Sequence, residues 1–267
     1  MQVTNIADGI YQLSINVENI LFEGLNLTVK QGDFITIVGS NGAGKSTLLN
    51  MISGSIEEDE GSIKLNRKEL CGTPEYKRSK YIGRVFQDTS QGVALNMTIL
   101  ESLSMAYNKG KPFNLALGIS RKNIIFFKEL LAELNLGLEN KLDNKIKLLS
   151  GGQRQALCLV MAVMGKPEIL LLDEHTAALD PKTSEKIIKI TEKIVGESYI
   201  TTMMITHNLN HAIGLGNRLI MMHGGNIVLD IEEEEKRNLS VNKILEQFDR
   251  VQGREYLGDR VLFSDYS

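Results

Sequence analysis

The sequence predicts an α/β fold: a mixed, largely parallel sheet wound with helices, preceded by an antiparallel β layer and interrupted by a helical insertion. Three observations predict it. Phe34-Ile35-Thr36-Ile37-Val38, a short apolar and β-branched run, leads through a glycine-rich turn into Leu48, Leu49, Met51 and Ile52, which recur at helical spacing until Gly54. Ile169–Leu172 and Ile200–Ile205 are continuous apolar or β-branched runs, the pattern of strands buried on both faces of a parallel sheet. Between them Ile187, Ile188, Ile190, Ile194 and Val195 fall at helical spacing, completing a strand–helix–strand unit.

Taken in order, Ile10–Val17 and Leu25–Lys30 are strand-like runs separated by Asn, Gly and charged residues, which gives the antiparallel layer. The turn after Val38 matches G-x-x-x-x-G-K-[ST] across Gly39, Ser40, Asn41, Gly42, Ala43, Gly44, Lys45 and Ser46, with Thr47 following. Glycines let the backbone curl so that successive N–H groups point inward at a helix N-terminus, where the dipole also favours negative charge. A triphosphate fits that field, with Lys45 reaching the β- and γ-phosphates as a point charge and the Ser46 hydroxyl offered to Mg²⁺. The loop alone leaves open which nucleotide is bound, and to what end.

From about residue 88 to 150 the texture changes. Ile99, Leu100, Leu103, Met105 and Ala106 recur as on a helix, as do Phe126, Phe127, Leu130, Leu131 and Leu134, with no convincing strand between. Residues 108–121, with Gly110, Pro112 and Gly118, read as the connecting loop. Further on, Arg218–His223 and Asn226–Asp230 flank Gly224-Gly225 as a hairpin. The acidic run Glu232–Glu235 reads as a solvated helix start or linker, and Val241–Val251 as an amphipathic helix.

Composition sets the outer limits. With 267 residues, 42% of them hydrophobic, the chain fills a core without disulfides or a structural metal. A net charge of −3 and a pI near 5.9 argue against a partner nucleic acid held on a basic face. Cys71 and Cys158 form no C-x-x-C, which points to thiols in a reducing compartment. Met1–Ile10 lacks the basic and apolar regions of a signal peptide, and no apolar stretch approaches 18 residues, so the expected location is cytoplasmic. Any work at a membrane then needs another chain as anchor.

Leu149-Ser150-Gly151-Gly152-Gln153 opens a further helix, and with it the chain resembles the ATP-binding cassette (ABC) superfamily. Val85-Phe86-Gln87 resembles the family's Q-loop, Ile169–Asp173 with Glu174 its Walker B strand and adjacent carboxylate, Ala178-Leu179-Asp180 its D-loop, and Thr206-His207 its H-loop. The resemblance implies a P-loop NTPase core of the RecA-like kind, as a single domain: residues 1–87 and 151–230 as α/β core, about 88–150 as helical subdomain, and 231–267 as a helical tail. It also implies roles. Asp173, Ser46 and Gln87 would hold Mg²⁺, an ion that prefers oxygen ligands. Glu174 would be the general base for the attacking water, and His207 would contact the γ-phosphate. Ser150, Gly151, Gly152 and Gln153 would close over the ATP of an opposite subunit, making a head-to-tail homodimer with Asp180 at its seam. Tyr11, 34 residues before Lys45, stands where the family places an aromatic that stacks on adenine. One position departs from the pattern: His175 follows Glu174 where most members carry proline. Tuning of the base, contact with the seam and ordinary packing all suit it, and no catalytic role is assigned to it.

The wording around Gly83–Asp88, Asn96–Thr98, Gly137–Asn140, Leu171–Asp180 and Gly216–Arg218 resembles a bacterial subfamily of importer ATPases. Its members pair with a substrate-binding lipoprotein and a separate permease, and aromatic amino acids are proposed cargo for some. The resemblance therefore implies an ATPase subunit of a small-solute importer, attached to the inner face of the cell membrane through a permease that docks near residues 87–97, with an extracytoplasmic binding protein as indirect partner. The alternatives are the ATPase subunit of an exporter and a soluble ABC ATPase acting on nucleic acid or ribosomes.

Overall fold

The computed structural model describes residues 10–16, 22, 24–110 and 120–252, with the backbone alone described at 10–16 and 251–252. The chain forms two compact units, one from Met1–Ser79 with Thr201–Ser267 and one from Lys80–Ile200. In chain order the first unit begins with strands β1 (Ile10–Asn16), β2 (Leu25–Lys30) and β3 (Phe34–Gly39), helix α1 (Lys45–Ser53), strands β4 (Glu60–Leu65) and β5 (Lys68–Glu69), and helix α2 (Glu75–Arg78). The second unit holds β6 (Ile82–Val85), α3 (Ile99–Asn108), α4 (Arg121–Ala132), α5 (Gly151–Met164), β7 (Ile169–Asp173) and α6 (Pro181–Ser198). The chain then returns to the first unit with β8 (Thr201–Ile205), α7 (Leu209–Gly214), β9 (Arg218–His223), β10 (Asn226–Glu232), α8 (Glu233–Arg237) and α9 (Val241–Gln252).

Two sheet layers build the first unit. β2, β1, β4 and β5 form an antiparallel sheet in which Tyr11 stands opposite Val29 and Leu13 opposite Ile63. β3 lies in a second layer with parallel neighbours on both sides, β8 and β9, and every residue of β3 and β8 is buried. That is why both read as unbroken apolar runs. β10 returns antiparallel to β9 through Gly224-Gly225, whose φ values of 50° and 77° make the two-residue turn that suits a twisted hairpin. One face of this layer is covered by the C-terminal helices. Ile244 and Phe248 of α9 pack with Val38, Leu209, Ala212, Leu219 and Met221, so the amphipathic tail is part of the core.

Two buried cations organise the edges of this unit. The Arg78 guanidinium donates to Met51 O at 2.7 Å and Ile52 O at 3.3 Å, closing the carbonyl end of α1, and to Thr73 O at 2.7 Å. Gly54 terminates α1 in the left-handed region, where a Cβ would come within 2.8 Å of Arg78 Nε. Lys236, which follows the acidic run expected to be a solvated helix start or linker, is buried: its Nζ donates to Thr36 Oγ1 at 3.2 Å, to Arg218 O at 3.3 Å and to Leu215 O. Its partners are neutral oxygens, and burial pushes its pKa down to about 8. The acidic run does start a helix, but the residue that matters there is the lysine behind it.

In the second unit β6 and β7 are parallel, with Val85 opposite Leu172. β6 escaped the sequence reading because Gly83 and Arg84 interrupt its four residues. Gly83 is required by packing, since a Cβ there would lie 2.7 Å from Ala162 O of α5. α3 opens with a capping box in which Thr98 and Glu101 exchange hydrogen bonds, and α4 buries Phe127 and Leu131. The Tyr107, Phe126 and Phe127 rings meet at centroid distances of 5.7–5.8 Å. From residue 88 to 150 the described residues hold no strand, only the isolated Thr98–Lys145 bridge.

Candidate active site

In each unit the chemistry-bearing residues stand where parallel strands end at their C-terminal edge, the position at which α/β sheets receive ligands. In the first unit β3 delivers the phosphate loop and its neighbour β8 delivers Thr206 and His207. The glycines of the loop have specific reasons. A Cβ at Gly39 would stand 2.3 Å from Met222 O, and one at Gly44 (φ 94°) 2.7 Å from the Phe22 ring. Side chains are thereby excluded where the backbone must curl closest to its surroundings. Lys45 is buried, with its Nζ donating to Gly39 O at 2.7 Å and Ser40 O at 2.9 Å, which holds the ammonium against the loop. Gly225 N–H donates to Ala43 O at 3.2 Å, so the β9–β10 turn braces the loop from outside. Asn41, Gly42 and Ser46 are exposed, as a loop that receives a ligand requires, and Thr47 is half-buried.

His207 is half-buried just beyond β8. Thr206 N–H donates to Ile37 O at 3.2 Å, which keeps this corner in register with β3, and Asn208 Oδ1 then caps α7 by accepting from the N–H groups of Asn210 and His211. Tyr11 lies in β1, but its side chain is outside the described residues.

In the second unit β6 ends at Val85 and leads to Gln87, which is exposed; β7 ends at Asp173, followed by Glu174, both half-buried. Parallel register brings Gln87 and Glu174 out at the same edge. Glu174 takes φ 43°, a left-handed backbone that costs a non-glycine residue of order 1–3 kcal/mol and persists only where neighbours fix it. Arg84, which the sequence reading passed over, has its Nη2 3.9 Å from Asp173 Oδ2 and stacks on the Phe86 ring at 4.3 Å. A guanidinium beside the carboxylate offsets its charge.

Ser150 is the N-cap of α5. Its Oγ accepts from Gln153 N–H at 3.3 Å while Gln153 Oε1 accepts from Ser150 N–H at 3.3 Å, and Gln153 Nε2 reaches Leu136 O at 3.0 Å. The S-x-x-Q spacing forms a capping box, which places an exposed serine and Gly151 at the positive end of a 14-residue helix. Gly152 is buried against α6, where a Cβ would fall 2.3 Å from Thr183 Cγ2. Asp180 caps α6 through Thr183, whose hydrogen bonds hold its carboxyl below the usual carboxylate range, and Pro181 follows at the first helical position.

These motifs have counterparts in known proteins. The sequence profile of the family described as ABC transporter matches residues 22–177. A tyrosine transport ATP-binding protein of Clostridioides difficile (strain R20291) is 51% identical over 231 residues, covering 86% of this chain and 92% of its own length. The spermidine/putrescine import ATP-binding protein PotA of Spiroplasma citri is 34% identical over 209 residues, and the chain spans only 56% of that relative's length. A solved structure of a dimeric, post-hydrolysis ATP-binding cassette with ADP and phosphate matches with TM-score 0.68 at 26% identity, over 84% of this chain and 98% of that one.

Proposed function

The chain belongs to the ABC transporter family as an ATP-binding, ATP-hydrolysing subunit, and from that premise we propose that it energises a separate membrane permease that imports a small solute, with an aromatic amino acid as the cargo class. The observation that carries this reading is the coexistence, in one chain, of a phosphate loop and a capped signature helix, each presenting N–H groups at a helix N-terminus. One such end grips a triphosphate; the second serves the nucleotide of another copy. Two copies meeting head to tail thus enclose two ATP molecules, with Asp180 at the seam.

Within each enclosed site Gly39–Thr47 binds the phosphates and Lys45 adds its point charge. Ser46, Gln87 and Asp173 supply hydroxyl, amide and carboxylate oxygens, a donor set that suits a hard ion such as Mg²⁺. An Mg²⁺ ion held by these three residues would supply neutralisation of the charge that develops on the phosphates. Glu174 orients the attacking water and takes its proton, and His207 donates to the γ-phosphate from the end of β8. Tyr11 stacks on the adenine. The permease docks near residues 87–97 and holds the chain at the inner face of the membrane, since among the described residues no helix is long and apolar enough to cross one. An extracytoplasmic binding protein delivers the cargo. The similarity to a tyrosine transport ATP-binding protein supports the cargo class.

Glu174→Gln tests the mechanism: ATP binding is expected to persist while turnover falls by about 10²–10⁴, the usual worth of a general base. Near-normal hydrolysis would remove Glu174 from that role. Isolation of the complex from native membranes tests the setting, with tyrosine, tryptophan and phenylalanine screened for stimulation of its ATPase. Co-isolation of ribosomes in place of a permease would overturn the transport reading.

A further inference from the structure

Glu174 leaves β7 in a left-handed conformation, φ 43°, and the residue after it is anchored deep in the second unit. His175 is 2% exposed, and its ring Nε2 lies 3.1 Å from Thr191 Oγ1 on α6, a hydroxyl that is itself fully buried. Thr191 has a single hydroxyl proton, donated to Ile187 O at 2.9 Å. The hydroxyl can therefore only accept from the imidazole, which assigns the proton to Nε2. The result is a buried relay of donors, His175 Nε2–H to Thr191 Oγ1–H to the Ile187 carbonyl, that ties the end of β7 to the middle of α6. Ala177 N–H closes the intervening turn on Glu174 O at 3.0 Å. At the position where the family pattern has a rigid ring, this chain has a hydrogen bond.

We propose that His175 is a positioning residue for ATP hydrolysis: through Thr191 it locks the strand end and so holds the Glu174 carboxylate on the line of the attacking water. The proposal rests on the reading of Glu174 as the base. A base works only within hydrogen-bond reach of the proton it takes, and displacement by about 1 Å can cost on the order of a hundredfold in rate. The tie also fixes α6, whose N-cap is Asp180, so the element at the seam and the base share one anchor.

The test compares steady-state ATPase kinetics of the full chain carrying His175→Phe, His175→Gln, Thr191→Val and Glu174→Gln, with thermal melts to establish folding. His175→Phe fills the space without a donor, Thr191→Val removes the acceptor at equal size, and His175→Gln returns an N–H near the Nε2 position. The expected result is a fall in kcat of about tenfold or more for His175→Phe and Thr191→Val, with the KM for ATP within about twofold, no further loss in their combination, and recovery of most of the rate in His175→Gln. Added to Glu174→Gln, His175→Phe should cost nothing more, because there is no base left to position. An unchanged kcat in folded His175→Phe, or a loss that adds in full to that of Glu174→Gln, would overturn the proposal. Wild-type turnover in Glu174→Gln alone would overturn the base assignment, a separate failure. Should His175→Phe not fold, Thr191→Val carries the same criteria.

Discussion

Lys236 shows what a single residue can hide from its sequence. It follows four glutamates, Glu232–Glu235, that read as solvated, yet it is 2% exposed and capped by neutral oxygens. Its pKa is about 8 in the fold against 10.5 when exposed. Below pH 8 both states carry the proton and the burial cost is at its fullest. Between pH 8 and 10.5 the unfolded chain binds more protons, so stability rises with pH, by up to about 3 kcal/mol for a shift of this size. Cys71 and Cys158 act in the opposite sense. Burial pushes both thiols up to about 12, so their contribution is complete below pH 9 and is lost as the pH climbs towards 12. The lysine is isolated by difference: denaturant midpoints of wild type and Lys236→Met, followed from pH 7.5 to 10, should diverge in favour of wild type. Parallel curves would remove this account. The candidate site residues were easier to nominate than these, because Lys45, Glu174 and His207 sit in motifs of fixed spacing. His175 was visible but unreadable, since its partner Thr191 is brought to it only by the fold.

Elements were legible where their apolar pattern was unbroken. β3, β7 and β8 announced themselves as buried runs, and α6 extends beyond its apolar period at a start marked by Asp180-Pro181. β4 was missed because only Ile63 and Leu65 are buried in it, and β6 because a packing glycine and an arginine stand in its middle. Two elements have consequences that denaturation can measure. α1, the helix behind the phosphate loop, ends on Arg78, so Arg78→Ala removes the guanidinium from the Met51 and Thr73 carbonyls, leaves the buried Glu58 carboxylate without the partner now 3.4 Å away, and should cost about 3 kcal/mol or more. α9 contributes Phe248 to the core, and Phe248→Ala should cost about 3–5 kcal/mol. A loss below about 1 kcal/mol in either variant would mean that the helix concerned is held by something else.

At the scale of the whole molecule the fold class was legible because the order of strand, loop and helix is written in sequence, whereas assembly is not. The signature helix offers a test of the proposed dimer. Ser150→Asp keeps a good N-cap, so α5 should remain intact, but it sets a negative charge where a second copy's γ-phosphate would sit. Combined with Glu174→Gln, which should accumulate an ATP-bound dimer by light scattering, Ser150→Asp is expected to return the chain to single copies with ATP affinity unchanged. Dimers that persist would place the second phosphate contact elsewhere.

The bonds around the phosphate loop bear on timing. Its carbonyls are held by the chain itself, Gly39 and Ser40 by the Lys45 ammonium and Ala43 by Gly225 of the hairpin turn. When one nucleotide leaves and the next arrives, the Lys45 ammonium has to turn between these carbonyls and the phosphates, while the brace from Gly225 needs no rebuilding. Exchange of ADP for ATP then asks no refolding of the loop, and in the proposed dimer the pace of the cycle would pass to the meeting and parting of the two copies.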